Sequence, residues 1–198
     1  MDIERRTFAA EGLHIEKRDA GEIRLVGHAA VFNSLSEDLG GFREQISPGA
    51  FADAIETDDV RALFNHDPNF VLGRNRSKTL RMSEDARGLA IEIKLPDTQT
   101  VRDLVVAPIE RGDVSQMSFG FSVKPGGQDW AKDDEGRVIR TLKRVRLFDV
   151  SPVTYPAYQQ TDIAVREMRS FQSKLQEQER LKVPMNLLRA REMLARAL

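Results

Sequence analysis

Short segments in which every second residue is apolar dominate this sequence. The clearest is Val114–Val123, where Met117, Phe119 and Phe121 share one parity and the residues between them are small or polar. Successive side chains of a β-strand point to opposite faces of the sheet, so this period of two predicts a strand with one buried face. Similar patterns predict strands over Glu22–Val31, Val60–Phe64, Thr79–Met82, Leu89–Leu95 and Arg137–Val150. The chain is therefore expected to be mainly β.

Helices are predicted at fewer places. Ser47 can cap a short helix that carries Phe51 and Ile55, and residues 98–107 are expected to form a second helix that Pro108 ends or kinks. The polar stretch Asp129–Gly136 is expected to be a loop.

The composition changes after Pro156. Residues 168, 171 and 175 are apolar at helical spacing and predict a helix with Asp162 as its cap, and Met185–Leu198 predicts a second amphipathic helix. We therefore expect a β domain over residues 1–160 and a helical C-terminal arm over residues 161–198.

Composition narrows the function classes. The 198 residues include 30 Lys and Arg against 31 Asp and Glu, for a net charge of −1, which gives no electrostatic reason to expect a nucleic-acid partner. The absence of cysteine excludes a thiol nucleophile and a Cys-ligated zinc site. No apolar run approaches the roughly 20 residues that cross a bilayer, and the first residues lack the apolar segment of a signal peptide. We expect a cytoplasmic protein with no membrane partner.

The three histidines differ in their surroundings. No two of them have the close helical spacing of a zinc motif, so neither a metal site nor a cofactor is expected. His14 lies in a charged segment and His28 opposite an apolar row, so both are expected to be structural or solvent-facing. His66 follows a predicted strand at the turn-like sequence Asn65-His66-Asp67-Pro68, which is a good position for a catalytic side chain.

Two serines are candidate nucleophiles. Ser118 lies opposite the apolar row of its strand, beside Gly120, which leaves room for another backbone. Ser115 shares the parity of the apolar row and is expected to be a buried core hydroxyl. The residue two before Ser118 is Gln116 rather than the glycine of a nucleophile elbow, so an α/β-hydrolase fold is not expected.

A serine nucleophile needs a base, and the base needs a third group to orient it. Asp149 extends the apolar row of Val145 and Leu147 with a carboxylate, and a buried carboxylate needs a partner. His66, Ser118 and Asp149 could therefore supply the three roles.

Five motifs together resemble the prohead (head maturation) serine protease family of tailed bacteriophages, which is related in fold to the herpesvirus assemblins. They extend from about Gly21 to Ala157 and are specific as an ordered set: Gly27–Asn33, Glu44–Phe51, Asn65-His66-Asp67 with Leu72-Gly73-Arg74, Gln116–Phe121 and Asp149–Ala157. The resemblance implies a closed antiparallel β-barrel wrapped by helices, as in the herpesvirus proteases.

The resemblance also implies site roles. His66 is expected to be the general base, Ser118 the nucleophile and Asp149 the orienting acid, with Glu44 as the alternative acid. Assemblins use a second histidine in this third role, but neither of the other two histidines follows the serine here. The oxyanion could be bound by the backbone around Gly120, by Arg144 or by Arg146.

The family resemblance implies a serine endopeptidase that cleaves a capsid or scaffold precursor, and itself, inside an assembling procapsid in the host cytoplasm. The expected partners are the major capsid protein or its scaffolding segment, and further copies of the chain. The arm, from about Arg166 onward, suits docking with capsid or scaffold helices, and a dimerisation or lid helix pair is the alternative.

Two other interpretations stay open at this point. One is a non-catalytic capsid-assembly or scaffolding module on the same barrel. The other is an unrelated β-barrel ligand-binding protein, in which His66 and Ser118 would lie far apart.

Overall fold

A computed structural model describes residues 3–9, 12–18, 21–155 and 162–182. Its strands are β1 (Glu4–Ala9), β2 (His14–Lys17), β3 (Ile23–Val31), β4 (Arg43–Ile46), β5 (Arg61–Phe64), β6 (Asp67–Arg74), β7 (Leu80–Glu84), β8 (Gly88–Lys94), β9 (Gln116–Val123), β10 (Gln128–Lys132), β11 (Val138–Leu142) and β12 (Val145–Val153). Its helices are α1 (Ala52–Thr57), α2 (Gln99–Val101), α3 (Ala107–Arg111) and α4 (Asp162–Lys182), with a π-helical segment, Arg102–Val106, between α2 and α3.

The strands pair into three sheets. Their orders are β1-β9-β12-β5-β6, β10-β11-β4 and β2-β3-β8-β7. The mainly β class is confirmed. The predicted closed antiparallel barrel is not found in the described ranges. A closed sheet has no edge strands, whereas each of these three sheets has two edge strands. The pairs β12–β5 and β11–β4 are also parallel.

One hydrophobic core includes residues from all three sheets. Met117, Phe119 and Phe121 of β9 are fully buried in it, as their shared parity predicts. The Phe51 ring packs edge-on against Phe119, with ring centroids 5.4 Å apart. Because this face of β9 is fixed in the core, its other face is available to hold the polar residues of a site.

Four charged side chains form a buried cluster between β1, β4 and β11. Arg6 donates through Nε to Glu44 Oε1 at 2.8 Å, and Arg140 donates through Nη1 to Glu4 Oε2 at 2.6 Å and to Glu44 Oε2 at 2.9 Å. Burial acts to raise the pKa of Glu4, but hydrogen bonds and positive charge from Arg140 and Arg6 outweigh it and lower the pKa. Two cations and two anions balance, which is the condition for stable buried charge.

Two predicted helices differ from expectation. Helix α1 starts after Phe51 rather than at Ser47, and Glu84 of β7 accepts the backbone N–H groups of Gly49 and Phe51 at 2.9 and 2.8 Å. Sequence pattern could not find this cap because its donor and acceptor are more than 30 residues apart. The second helix continues past Pro108 to Arg111, because the π-helical segment Arg102–Val106 leads directly into α3.

The strand predictions were wrong at two places. Gln128–Lys132 forms β10 within the stretch expected to be a loop, and the predicted strand Arg137–Val150 is two strands, β11 and β12. A turn at Lys143-Arg144 separates them, and both backbone N–H groups of that turn donate to the Gly127 carbonyl.

The chain divides into two compact units, residues 1–160 and 161–198. Helix α4 of the second unit begins at Asp162, and the predicted helix Met185–Leu198 lies outside the described residues. None of the described helices is long and apolar enough to span a membrane.

Candidate active site

Ser118 lies on an interior strand of the five-stranded sheet. It is on β9 between β1 and β12, in register with Thr7 on one side and Ser151 on the other. Its side chain points away from the phenylalanine row, as its parity predicts, and the residue is fully buried. A strand with hydrogen-bonded neighbours on both sides holds this hydroxyl on a rigid element.

A β-bulge turns Asp149 towards Ser118. On β12, Leu147 pairs with Phe121 while Asp149 pairs with Gly120, so Phe148 is one residue in excess. A bulge of this kind moves the following side chains to the opposite face. Asp149 therefore leaves the apolar row on which its parity placed it and joins the face of Ser118.

Gly120 makes room for the Asp149 carboxylate. A Cβ atom built on Gly120 would lie 2.3 Å from Asp149 Oδ2, far inside contact distance. The sequence predicted a close approach at this glycine but assigned it to another backbone. The close group is a carboxylate.

His66 is held in a two-residue turn between β5 and β6. Both central residues of the turn, Asn65 and His66, have positive φ, at 53° and 59°, as the type I′ hairpin turn requires. Positive φ is uncommon for residues other than glycine, although asparagine and histidine adopt it more readily than most, and residues in this conformation concentrate at functional sites. Asn65 donates its backbone N–H to the Pro152 carbonyl at 3.0 Å, and its Oδ1 accepts from the Thr154 N–H at 2.9 Å. The turn is thereby tied to the end of the Asp149 strand.

The His66 imidazole connects the serine to the aspartate. Nδ1 lies 2.5 Å from Asp149 Oδ1, and Nε2 lies 2.7 Å from Ser118 Oγ. The imidazole is only 6% exposed. With its proton on Nδ1, the ring donates to the carboxylate and accepts the serine hydroxyl hydrogen, which is the arrangement that activates a serine nucleophile. We refer to these three residues as the triad.

Ser151 is a further polar residue of this site, and sequence analysis missed it. Its Oγ donates to Asp149 Oδ1 at 2.7 Å, and the residue is fully buried. The sequence did contain a signal for it, because residues two apart on a strand share a face and Ser151 follows Asp149 by two.

The structure excludes two alternatives. Ser115 is exposed and precedes β9, so its expected burial in the core was wrong. Glu44, the alternative acid, is 2% exposed and is held by Arg6 and Arg140 in the buried cluster. The interpretation that places His66 far from Ser118 is also wrong.

The other predicted residues lie outside the triad. His14 is exposed, with Nδ1 2.7 Å from the Gly12 carbonyl, and His28 pairs with Asp85 at 2.8 Å, so neither joins the site, as expected. Of the oxyanion candidates, Arg144 donates to the Pro125 carbonyl at 3.0 Å and Arg146 stacks on Phe148 at 5.2 Å. The described residues contain no group of three or more His, Asp or Glu side chains that could hold a metal ion.

Two buried polar atoms on the Ser118 face have no hydrogen-bond partner within the described ranges. They are Nε of Arg5, which is in register with Gly120, and Oε1 of Gln116, two residues before Ser118. One is a donor and the other an acceptor, and they lie on either side of the serine.

A family model and a relative found by sequence comparison agree on one family. The model of the caudovirus prohead serine proteases matches residues 11–176. The prohead protease of Enterobacteria phage HK97 is 34% identical over 147 residues, which are 70% of this chain and 57% of that protein. The chain thus spans little more than half of this relative. The capsid assembly protease of bacteriophage T4 aligns with a TM-score of 0.48 at 12% identity, over 76% of this chain and 96% of that one.

Proposed function

The chain belongs to the caudovirus prohead serine protease family, and from that membership we propose that it is a serine endopeptidase of capsid maturation. The observation that carries the proposal is the position of His66, with one ring nitrogen on Ser118 and the other on Asp149. Three separate segments of the chain converge there, at distances that allow proton transfer.

The triad supports acyl transfer to serine. Ser118 Oγ attacks the carbonyl carbon of the scissile peptide, and its proton passes to His66 Nε2. Asp149 holds the Nδ1 proton and stabilises the imidazolium. His66 then gives the proton to the leaving amine as the C–N bond breaks, leaving an acyl-enzyme on Ser118. Water, deprotonated by His66, releases the acid and restores the serine.

Arg5 is our choice for binding the oxyanion. It is diagonal to Ser118 across the β1–β9 pair, a separation of about 7–8 Å that a long side chain can span, and its Nε is buried without a partner among the described residues. A cation in a low-dielectric site stabilises the charge that develops on the carbonyl oxygen.

The nucleophile is closed to solvent in this conformation. Ser118 is 0% exposed, and a cavity of about 770 Å³ lined by Ile23, Leu72 and Leu95 contains none of the triad.

The substrates and location that we propose follow from the family. They are a capsid or scaffold precursor and the chain itself, cut inside the assembling procapsid of the host cell. We also propose that the chain associates with further copies of itself. Residues 161–198 would then either act in assembly or be removed by cleavage. The relative named as a prohead protease supports it.

Intact-mass analysis tests the proposal. The wild type and the Ser118→Ala variant are each incubated alone and with a co-expressed capsid precursor, and the Ser122→Ala variant is the matched control, since Ser122 lies on the same face of β9 outside the triad. We expect cleavage products from the wild type and the control only. Labelling by a fluorophosphonate should likewise require Ser118 and His66. Equal cleavage in Ser118→Ala would refute the assignment, and no cleavage or labelling in any sample would favour the non-catalytic assembly module.

A further inference from the structure

We propose that Ser151 is a positioning residue, whose hydroxyl holds the Asp149 carboxylate in the orientation that receives His66. The inference rests on the proposed serine protease function, because it concerns how the triad is aligned. It assigns a role to a fourth side chain of the site.

The hydrogen-bond pattern supports this role. Asp149 Oδ1 accepts from His66 Nδ1 at 2.5 Å and from Ser151 Oγ at 2.7 Å, so one oxygen atom receives both donors. The other oxygen, Oδ2, lies over Gly120. Ser151 therefore holds Oδ1 and Gly120 packs against Oδ2. These two contacts fix the rotamer of Asp149 independently of His66.

The position of Ser151 keeps its hydroxyl in place. It follows Asp149 by two residues on β12, and β12 is paired with β9 on one side and β5 on the other. The residue is 0% exposed, so bulk water does not compete for the Asp149 oxygen. Hydrogen bonds to a charged acceptor are the stronger class, and this one is intact whether His66 is neutral or protonated.

The orientation of the acid matters most in the transition state. His66 becomes positively charged only when it takes the Ser118 proton, and only a correctly placed Asp149 stabilises that charge. Loss of the Ser151 hydroxyl removes one of the two donors to Asp149 Oδ1, so the carboxylate is held less firmly in this orientation. We therefore expect kcat to fall while KM is unchanged, because Ser151 acts through Asp149 and its effect is felt only when His66 becomes charged.

The experiment compares Ser151→Ala with Ser151→Thr, which keeps a hydroxyl, and with Ser122→Ala as the control. Kinetics use a peptide copied from the junction that the chain cuts in itself. We expect kcat to fall about tenfold in Ser151→Ala, to recover in Ser151→Thr, and to stay at the wild-type value in the control. The proton NMR resonance of the His66 Nδ1–H, identified by its loss in His66→Ala, should move in Ser151→Ala and not in the control.

The outcomes separate this inference from the proposed function. An active wild type, with unchanged kcat and an unmoved resonance in Ser151→Ala, would overturn the role of Ser151. A parallel fall of kcat in the alanine and threonine variants with no change in the resonance would also overturn it. If the wild type hydrolyses nothing but the resonance moves, the proposed function fails while the positioning of Asp149 stands.

Discussion

Replacing Gly120 by alanine should displace the acid of the triad and leave the fold intact. The new Cβ atom would lie 2.3 Å from Asp149 Oδ2, whereas carbon–oxygen contacts are about 3.3 Å or longer. The carboxylate must therefore withdraw by about 1 Å. Misplacement of a reacting group by this distance costs roughly 100-fold in rate, so we expect kcat to fall by about that factor.

The same clash has a cost in stability that can be traced to its source. Overpacking costs about 1–3 kcal/mol, and the lower entropy of the unfolded chain returns about 0.4–1 kcal/mol when glycine becomes alanine. We expect a net loss of about 1 kcal/mol in the free energy of unfolding, measured by urea denaturation. The loss should disappear when Gly120→Ala is made in an Asp149→Ala background, because no carboxylate remains to be displaced.

Two results would refute this account of Gly120. One is self-cleavage of the Gly120→Ala variant at the wild-type rate. The other is a stability loss that persists in the Asp149→Ala background, which would place the clash on another neighbour, such as Ile3 Cγ2 at 3.4 Å.

Three further predictions concern other charged groups. Arg5→Ala should lower kcat about 100-fold with an unchanged melting temperature if its guanidinium binds the oxyanion; unchanged kcat in hydrolysis of the self-cleavage peptide would remove Arg5 from the site. Glu44→Gln should lower the free energy of unfolding by about 3 kcal/mol, since it leaves excess positive charge buried, and the part that stays folded should cleave at the normal rate; a rate loss without a stability loss would restore Glu44 as the acid. Hydrogen bonds from His28 and from the backbone of Gly88 and Arg87 lower the pKa of Asp85 to about 2, so the stability it contributes should be complete above about pH 4 and lost as the pH falls towards 2. Between about pH 4 and pH 2 the urea midpoint of His28→Ala should therefore fall less than that of the wild type. An equal fall in both proteins would show that His28 does not lower the pKa of Asp85.

The sequence was informative where the structure is regular. The parity of β9 predicts the direction of Ser118 because no bulge interrupts that part of the strand, and the turn-like sequence around His66 predicts a strand end. Local patterns carried less information where distant parts of the chain decide the structure. Strand β1 contains Glu4, Arg5 and Arg6, which look solvent-exposed in the sequence; Glu4 and Arg6 are buried because Glu44 and Arg140 neutralise them.

The departures from regular β-structure in the five-stranded sheet meet at the triad. The His66 turn has positive φ at a histidine, the bulge at Phe148 reverses the face of Asp149, and Gly120 provides a gap in the middle of a strand. Each is unfavourable or neutral for folding alone, since a bulge interrupts hydrogen bonding and a strand glycine costs chain entropy. Together they bring a nucleophile and an acid from two strands and a base from a hairpin turn into one chain of two hydrogen bonds. A regular sheet would have kept Asp149 on the core face opposite to Ser118, so the irregularities are what make a triad possible on this scaffold.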